Sequence, residues 1–329
     1  MATQTGSISI DFKGDRADTV FLKPLFLGME AMGMFRVMTN VVHKKKVGFV
    51  GVLDDILQKN TGCGFTPMGN LDMYERTVEV EDIKVNLEQC SDELENTIWE
   101  ESIRKGVDQN NLTGTALSNI ALLRIRQGIQ LGCERLFWYG DKSSLKTRFN
   151  MLDGMWTVHI PALVASPTNA TPYISSGSGA PLAQDDATEV LKNMWEAQDL
   201  TLLGIPDSEK RFYVSRSVYQ GYMSDLELNG GGDAGRSALI NGQSTLAFRG
   251  IALIQMPYWD QYDTVDFDAP NTHRALLTTP TNLVVATDLQ SSKNVVKIWF
   301  EEKEETTNYK VKFKLGTSFV HPMLMVAAY

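Results

Sequence analysis

The sequence predicts a mixed α+β fold with two packed lobes. A long amphipathic helix is expected over residues 113–138, and strands with period-two alternation fill the last quarter of the chain. Between them, residues 141–242 alternate short strands with short helices. At 329 residues the chain exceeds the size at which one hydrophobic core stops growing, so two lobes are expected.

Composition and charge exclude several classes of protein. With 43% hydrophobic and 22% charged residues the chain is globular rather than disordered. It has no run of about eighteen apolar residues and no secretory signal, so we expect it in the cytosol of its producing cell and not in a membrane. The net charge of −9 argues against a protein that grips nucleic acid through a basic face. Cys63, Cys90 and Cys133 form no CxxC pair and are expected to be free thiols.

The first 76 residues fit no compact domain. Residues 1–45 carry apolar side chains without a helical or strand period, so Phe21, Phe26 and Phe35 are expected to be exposed in a single chain and to contact other chains. The alternative is that this segment forms an edge of the hydrophobic core of its own subunit. Residues 46–76 are rich in glycine and proline, which predicts an extended excursion. The run Lys44-Lys45-Lys46 is either a solvated turn or a weak nucleic-acid contact.

The next stretch leads into the long helix. Its strand changes phase at Glu81 and Asp82, and a short helix capped by Ser91 or Asp92 is expected to follow. One face of the helix at 113–138 carries Leu117, Ala121, Ile125, Ile129, Cys133 and Leu136. At about 1.5 Å per residue this helix spans roughly 39 Å. Gly128 and Gly132 each weaken it by about 1 kcal/mol, which predicts that they admit a crossing strand or helix.

The remaining elements follow from the same periodicities. In the α/β lobe we expect a strand over Trp156–Ile160, a helix from Asp185 or Asp186, and a strand at Phe212 and Val214 followed by a helix. The phase slip at Arg249–Gly250 predicts a β-bulge. A Thr-Pro turn then precedes a hairpin with one buried face, formed by Val296, Ile298 and Phe300 against Tyr309, Val311, Phe313 and Leu315.

No pattern of catalytic or metal-binding residues is present, so we predict no catalytic, cofactor-binding or metal site. The four histidines, His43, His159, His273 and His321, have no metal-ligand spacing. Asp260, Asp263, Asp266 and Asp268 could hold calcium, but the stretch lacks the turn glycine and the terminal glutamate. Gly230-Gly231-Gly232 lacks the Lys-Ser/Thr of a phosphate loop. The acidic run Glu301-Glu302-Lys303-Glu304-Glu305 is either a solvated hairpin tip or an intersubunit ion-pairing element.

Several segments together resemble a known family. Its peripheral-domain strands follow the order seen here in "FRGIALIQMPYWD", "HRALLTTPTNLVVATD", an acidic-tipped hairpin and "SFVHPMLMVAAY". Upstream, the matching pieces are "SDELENT", "LFWYGD", "LDGMW" and "RFYVSRSVYQGYMSDLE". In this order the chain resembles a tailed-bacteriophage major capsid protein of the Hong Kong 97 fold, from about Thr77 to Tyr329. The residues before Thr77 resemble the family only in their general character, as a mobile arm and loop.

The resemblance implies an organisation of the chain. It comprises an N-terminal arm at 1–45, an extended β-loop at 46–76 that reaches an adjacent subunit, a peripheral domain at 77–140 with the spine helix 113–138, an α/β axial domain at 141–242, and the C-terminal strands of the peripheral domain at 243–329.

The resemblance also implies a function, which is structural and not enzymatic. Copies would assemble as hexamers and pentamers into an icosahedral head that encloses phage double-stranded DNA without sequence-specific binding. A separate scaffolding protein and a portal are the expected partners, no cofactor is expected, and the protein would reside in the virion after assembly in the host cytoplasm. The alternatives are an encapsulin-like shell, or a soluble α/β enzyme or binding protein with a cleft near Gly177 or Gly230.

Overall fold

The computed structural model of the chain describes residues 10–13, 34–50, 56–59, 68, 73–90, 116–166, 172–177, 179–228, 246–288, 295–301, 303–304 and 306–329. These form two compact units. Unit 1 comprises Met1–Lys46, Thr77–His159 and Val284–Ser318, and unit 2 comprises Val47–Arg76, Ile160–Leu283 and Phe319–Tyr329.

The described strands are numbered in chain order: β1 Ile10–Lys13, β2 Arg36–Met38, β3 Lys44–Val50, β4 Met73–Glu79, β5 Glu81–Cys90, β6 Tyr173–Ile174, β7 Arg211–Ser215, β8 Ala247–Phe248, β9 Ile251–Met256, β10 Ala275–Thr278, β11 Leu283–Ala286, β12 Val295–Glu301, β13 Thr306–Phe319 and β14 Met325–Ala328. The described α-helices are α1 Ala116–Tyr139, α2 Ile160–Val164, α3 Asp186–Glu196, α4 Leu200–Leu203, α5 Arg216–Leu228 and α6 Trp259–Gln261. Short π-helical turns cover Met155–His159 and Tyr262–Asp266, and 3₁₀ turns cover Asp207–Glu209 and Pro322–Leu324.

Strand β13 organises the sheet of unit 1. The strands follow the order β1-β12-β13-β11-β2, and β5 also pairs with β13. The antiparallel register places Val296 opposite Val311 and Ile298 opposite Tyr309, and these four side chains are buried. The predicted hairpin with one buried face is therefore confirmed. Strands β3 and β4 form a separate two-stranded ribbon, and the predicted phase change appears as the break between β4 and β5.

Helix α1 confirms the predicted long helix, with bounds of Ala116–Tyr139 in place of 113–138. Ile125, Ile129, Cys133 and Leu136 are buried, as an apolar stripe at helical spacing requires. The helix ends at Gly140, where a Cβ atom would collide with backbone oxygens, including that of Leu136. The helix predicted after Ser91 or Asp92 lies outside the described residues.

The described part of the predicted arm packs on its own unit. Strand β1 pairs antiparallel with β12, and β2 pairs parallel with β11. Phe35 is only 2% exposed, and its ring lies 4.2 Å from that of Phe137 and 6.0 Å from that of Trp138. The prediction that Phe35 is exposed is wrong, because the three-residue strand β2 is too short to leave a period in the sequence. Phe21 and Phe26 lie outside the described residues.

Unit 2 is a mixed sheet with helices packed against it. The strand order is β6-β14-β10-β7-β9-β8, with β7 parallel to β9 and antiparallel to β10. Helices α3 and α5 contribute buried side chains, including Leu191, Met194 and Val218, to the core of this unit. Helix α3 begins at Asp186 as predicted, and the strand β7 followed by helix α5 also matches the prediction.

The boundaries of unit 2 differ from those predicted for an axial domain at 141–242. The sheet that contains β7 also takes in β8, β9, β10 and β14, which the prediction assigned to residues 243–329. Strand β10 lies between β7 and β14, so these C-terminal strands complete the sheet around β7. The predicted strand over Trp156–Ile160 is wrong. Residues Met155–His159 form a π-helical turn that continues into α2, because Trp156 and Ile160 are buried one helical turn apart.

The phase slip at Arg249–Gly250 is a tight turn and not the predicted bulge. Phe248 pairs with Ile251 across antiparallel strands β8 and β9, so Arg249 and Gly250 alone form the loop. Their φ angles are 47° and 86°, as a two-residue turn with the right-handed twist of its strands requires. A bulge and a two-residue reversal both shift the alternation, which is why the sequence pattern did not separate them.

We predict that Gly250→Val lowers the free energy of unfolding by about 1–3 kcal/mol, because a β-branched residue is strained at positive φ. No heavy atom lies within 4 Å of the added Cβ, so the loss reflects the backbone conformation alone. Gly250→Asn is the matched control, since asparagine tolerates this region and should keep most of the stability. Urea unfolding of both variants measures the difference, and equal losses would contradict the turn assignment.

Candidate functional site

Among the described residues the four histidines take part in no cluster of three or more metal-ligand side chains, and His321 has a structural role. His43 is exposed, and His159 ends the π-helical turn after α1. His321 caps the 3₁₀ turn Pro322–Leu324, its Nδ1 accepting from the backbone N–H of Met323 at 3.2 Å. Its ring packs against Phe49 and Tyr74, and burial lowers the pKa of His321.

Sequence spacing missed one serine–histidine pair. His273 is 2% exposed, and its Nδ1 lies 2.9 Å from Ser217 Oγ although 56 residues separate them in the chain. Its Nε2 lies 2.7 Å from the carbonyl oxygen of Ala180, which can only accept, so Nε2 donates to it. Asp260 contacts the serine and not the imidazole. The pair therefore lacks the orienting carboxylate of a catalytic triad and instead links the segment just before β10 to the start of α5.

The candidate calcium-binding aspartates satisfy donors of the protein. Asp260 accepts from the backbone N–H of Ser217 at 2.7 Å. Asp263 is 1% exposed and accepts from Arg274 Nε at 2.8 and 3.0 Å and from Thr272 Oγ1 at 2.5 Å. Within the described ranges no three His, Cys, Asp or Glu side chains converge as metal ligands would. These aspartates hold the segment after β9 in place.

A groove of about 400 Å³ lies in unit 1 between strand β5 and helix α1. Its lining is largely apolar and includes Ile83, Val85, Ile129 and Phe313. Two further lining residues, Leu87 and Met151, are 47% and 38% exposed. Apolar lining that stays this open marks a candidate contact surface.

Gly128 and Gly132 face this groove from the helix. No heavy atom lies within 4 Å of a Cβ placed on Gly128, and the nearest neighbour of a Cβ on Gly132 is Arg135 Nη2 at 4.0 Å. The described chain therefore brings no crossing element against these glycines. Their cost to the helix, about 1 kcal/mol each, is not offset by packing inside the described part of unit 1.

The groove lacks a reactive thiol, although Cys133 contributes to its lining. Burial raises the pKa of Cys133 to about 12, so the thiol stays protonated at neutral pH. Burial also raises the pKa of the neighbouring Glu134. The chemistry of the groove is thus that of an apolar contact surface.

The described part of the predicted extended loop carries exposed apolar side chains. Leu57 is 90% exposed, Met73 69%, Val50 53%, Met68 48% and Ile56 47%. So many open apolar side chains within one short segment are unusual for a surface that meets only water. No helix among the described residues is both long and apolar enough to span a bilayer.

Comparison with known proteins identifies the fold. No family model and no curated protein matches the sequence. A chain of the satellite phage P4 procapsid, a structure that includes the size determination protein, has a TM-score of 0.54 at 13% identity, over 93% of this chain and 98% of that one. The capsid of Myoviridae phage XM1 gives 0.55 at 10% identity, over 91% and 90%. The capsid of a native GTA particle gives 0.57 at 10% identity, over 90% and 87%. The predicted α+β phage-capsid fold is therefore confirmed.

We predict that calcium and EDTA leave the thermal midpoint of the chain unchanged, because the carboxylates of Asp260 and Asp263 already accept protein hydrogen bonds. Asp263→Ala should lower the free energy of unfolding by about 3 kcal/mol, since the mostly buried Arg274 would lose the carboxylate with which it forms its ion pair. Thermal melts with and without each additive measure both effects. A calcium-dependent rise in the midpoint that Asp263→Ala abolishes would instead establish a metal site.

Proposed function

We propose that this chain is the major capsid protein of a tailed bacteriophage. In this proposal its copies assemble as hexamers and pentamers into an icosahedral head that encloses double-stranded DNA. The observation that carries the proposal is the fold, which the chain shares with phage capsid chains over at least 90% of its length. Identities of 10–13% mean that architecture, and not sequence, is what these chains have in common.

Open apolar surfaces support self-assembly. The groove between β5 and α1, and the exposed Ile56 and Leu57 of the extended loop, are the two parts of such a contact. In the proposed shell the extended loop of one copy lies in the groove of its neighbour and buries both. A contact between different surfaces of identical chains repeats from copy to copy and closes into a ring when its rotation divides a full turn evenly.

The side chains that an enzyme would use hold the fold together instead. His273 is tied to Ser217 and Ala180, and Asp263 is tied to Arg274 and Thr272. Both residues are buried, which removes them from any substrate. This arrangement favours a structural role over the soluble-enzyme alternative.

The remaining parts of the proposal concern partners and location. We place the protein in the virion, assembled in the host cytoplasm with a separate scaffolding protein and a portal. The net charge of −9 supports a shell that encloses DNA without gripping it, because duplex phosphates and the average surface repel each other. An encapsulin-like compartment would share the architecture but would enclose protein cargo.

Electron microscopy of the purified chain tests the proposal. Expressed with its scaffolding protein, the chain should form closed shells of uniform size, and the purified chain should bind duplex DNA weakly. A chain that stays monomeric at high concentration with scaffolding present would overturn the proposal. Shells that carry a protein cargo and no DNA after phage infection would establish the compartment alternative.

We predict that Gly128→Leu blocks assembly without harming the monomer. The leucine would fill the groove, while helix propensity rises by about 0.8–1 kcal/mol on replacing glycine. Gln127→Leu is the matched control, because it adds the same side chain at the adjacent, exposed position outside the groove lining. Thermal melts and shell yield on sucrose gradients provide the two readouts. A normal shell yield for Gly128→Leu would show that the groove is not part of the interface between copies.

A further inference from the structure

Four lysines form a band across three adjacent strands of unit 1. Lys297 on β12 lies directly opposite Lys310 on β13, and Lys312 on β13 lies directly opposite Lys84 on β5. Directly opposite residues of an antiparallel pair share one face of the sheet, about 5 Å apart. Lys84, Lys297, Lys310 and Lys312 are called the lysine array below.

Between Tyr309 and Phe313 the array occupies the sheet face opposite the buried apolar side chains of β13, whereas further along the array's own face Lys314 is buried. Tyr309, Val311 and Phe313 are buried, and alternation directs the side chains of Lys310 and Lys312 to the other face. Lys84 and Lys312 are exposed, whereas Lys297 and Lys310 are partly buried.

Among the residues whose side chains the structure describes, none forms an ion pair with a lysine of the array. The ammonium of Lys297 lies 5.3 Å from the centre of the Trp299 ring. By contrast, the buried Lys314 further along β13 pairs with Asp288 at 3.3 Å. Like charges placed directly opposite each other destabilise a sheet. Lys84 and Lys312 thus bear a repulsion that an external anion would relieve, whereas Lys297 also has Asp11 opposite it in the register of β1 and β12.

An anionic element lies at the end of the same hairpin. Between β12 and β13 the sequence Glu301-Glu302-Lys303-Glu304-Glu305 has four glutamates and one lysine, a net charge of −3. Glu301 and Glu304 are exposed. Along β12, Glu301 is four residues from Lys297, about 13 Å, so the tip cannot pair with the array of its own hairpin.

We propose that the hairpin tip of one copy docks on the lysine array of a second copy. The contact rests on the proposed self-assembly and specifies which charged surfaces meet in it. Because tip and array are different surfaces of the same chain, the contact is heterologous and repeats around an axis. Charge complementarity of this kind fixes register and orientation between partners.

The observations favour a compact protein anion over duplex DNA. The array spans three strands, about 10 Å, whereas the two strands that lead into the hairpin tip are about 5 Å apart, so the tip is narrow enough to lie within the array. Asp82 and Glu88 lie on the same strand and face as Lys84, at i−2 and i+4, and Asp11 pairs opposite Lys297. Acidic residues at the borders would repel a polyanion that extends beyond the array.

A charge swap tests the contact directly. One variant carries Lys310→Glu and Lys312→Glu, a second carries Glu301→Lys and Glu304→Lys, and a third combines all four. Each double variant should raise the subunit concentration needed for assembly by about tenfold or more, and the combined variant should restore most of the loss. Lys192→Glu on α3 is the control for an added surface acid and should assemble normally.

Stability of the unassembled subunit separates an interface role from a structural one. Lys310→Gln with Lys312→Gln should keep or raise the thermal midpoint of the monomer, because it relieves the repulsion across the strands, yet it should impair assembly. A lower midpoint would show that the lysines hold the fold and would overturn the contact.

The remaining outcomes are also decisive. If the wild-type chain forms shells and both double charge-reversal variants do so equally well, the contact is wrong while the proposed function stands. If the lysine variants assemble normally but retain less duplex DNA in their shells, the array is a nucleic-acid surface and the contact is wrong. If the wild-type chain never assembles, the proposed function and the proposed contact are both wrong.

Discussion

The pairing of β13 with its neighbours is the constraint on which unit 1 depends. Over residues Thr306–Leu315 this strand hydrogen-bonds to β5, and over Thr306–Lys312 it also bonds to β12. The sheet order continues from β13 to β11 and β2. At Gly316 a Cβ atom would collide with the carbonyl oxygen of Glu79, so glycine is what allows β13 to pass the junction of β4 and β5. A side chain at this position would force the strands apart where three segments of the chain meet.

The same strand generates both candidate contact surfaces. Its alternation directs Phe313 into the groove beneath α1 and directs Lys310 and Lys312 to the opposite face. A register slip of one residue would exchange the two sets, which would bury the lysines and expose the apolar side chains. The apolar groove and the lysine array are therefore not independent features. Fixing one by strand pairing fixes the other.

Sequence reasoning succeeded where one long period dominates and failed where the structure depends on short or distant elements. The stripe Ile125, Ile129 and Cys133 identified α1 because it spans several turns, and the alternation of β12 and β13 identified the hairpin. The tight turn at Arg249–Gly250 lacks the usual Asn-Gly or Asp-Gly signal, so the sequence pattern there predicted a bulge. The link between Ser217 and His273 joins residues 56 positions apart, and no spacing rule reaches it. For the groove, Gly128 and Gly132 in the long helix were the sequence features that pointed to an unusual surface.

Charge and apolar surface play different parts in the proposed assembly. Copies that each carry a net charge of −9 repel one another at long range, so association needs a short-range gain that outweighs this repulsion. Burial of the groove supplies a non-directional gain that scales with the apolar area removed from water. It cannot by itself choose among the orientations in which apolar surfaces touch. A positive array on an otherwise acidic subunit can, because only one approach brings the hairpin tip onto the lysines while other approaches place like charges together. The apolar surface then determines how strongly copies associate, and the charged surface determines in which register.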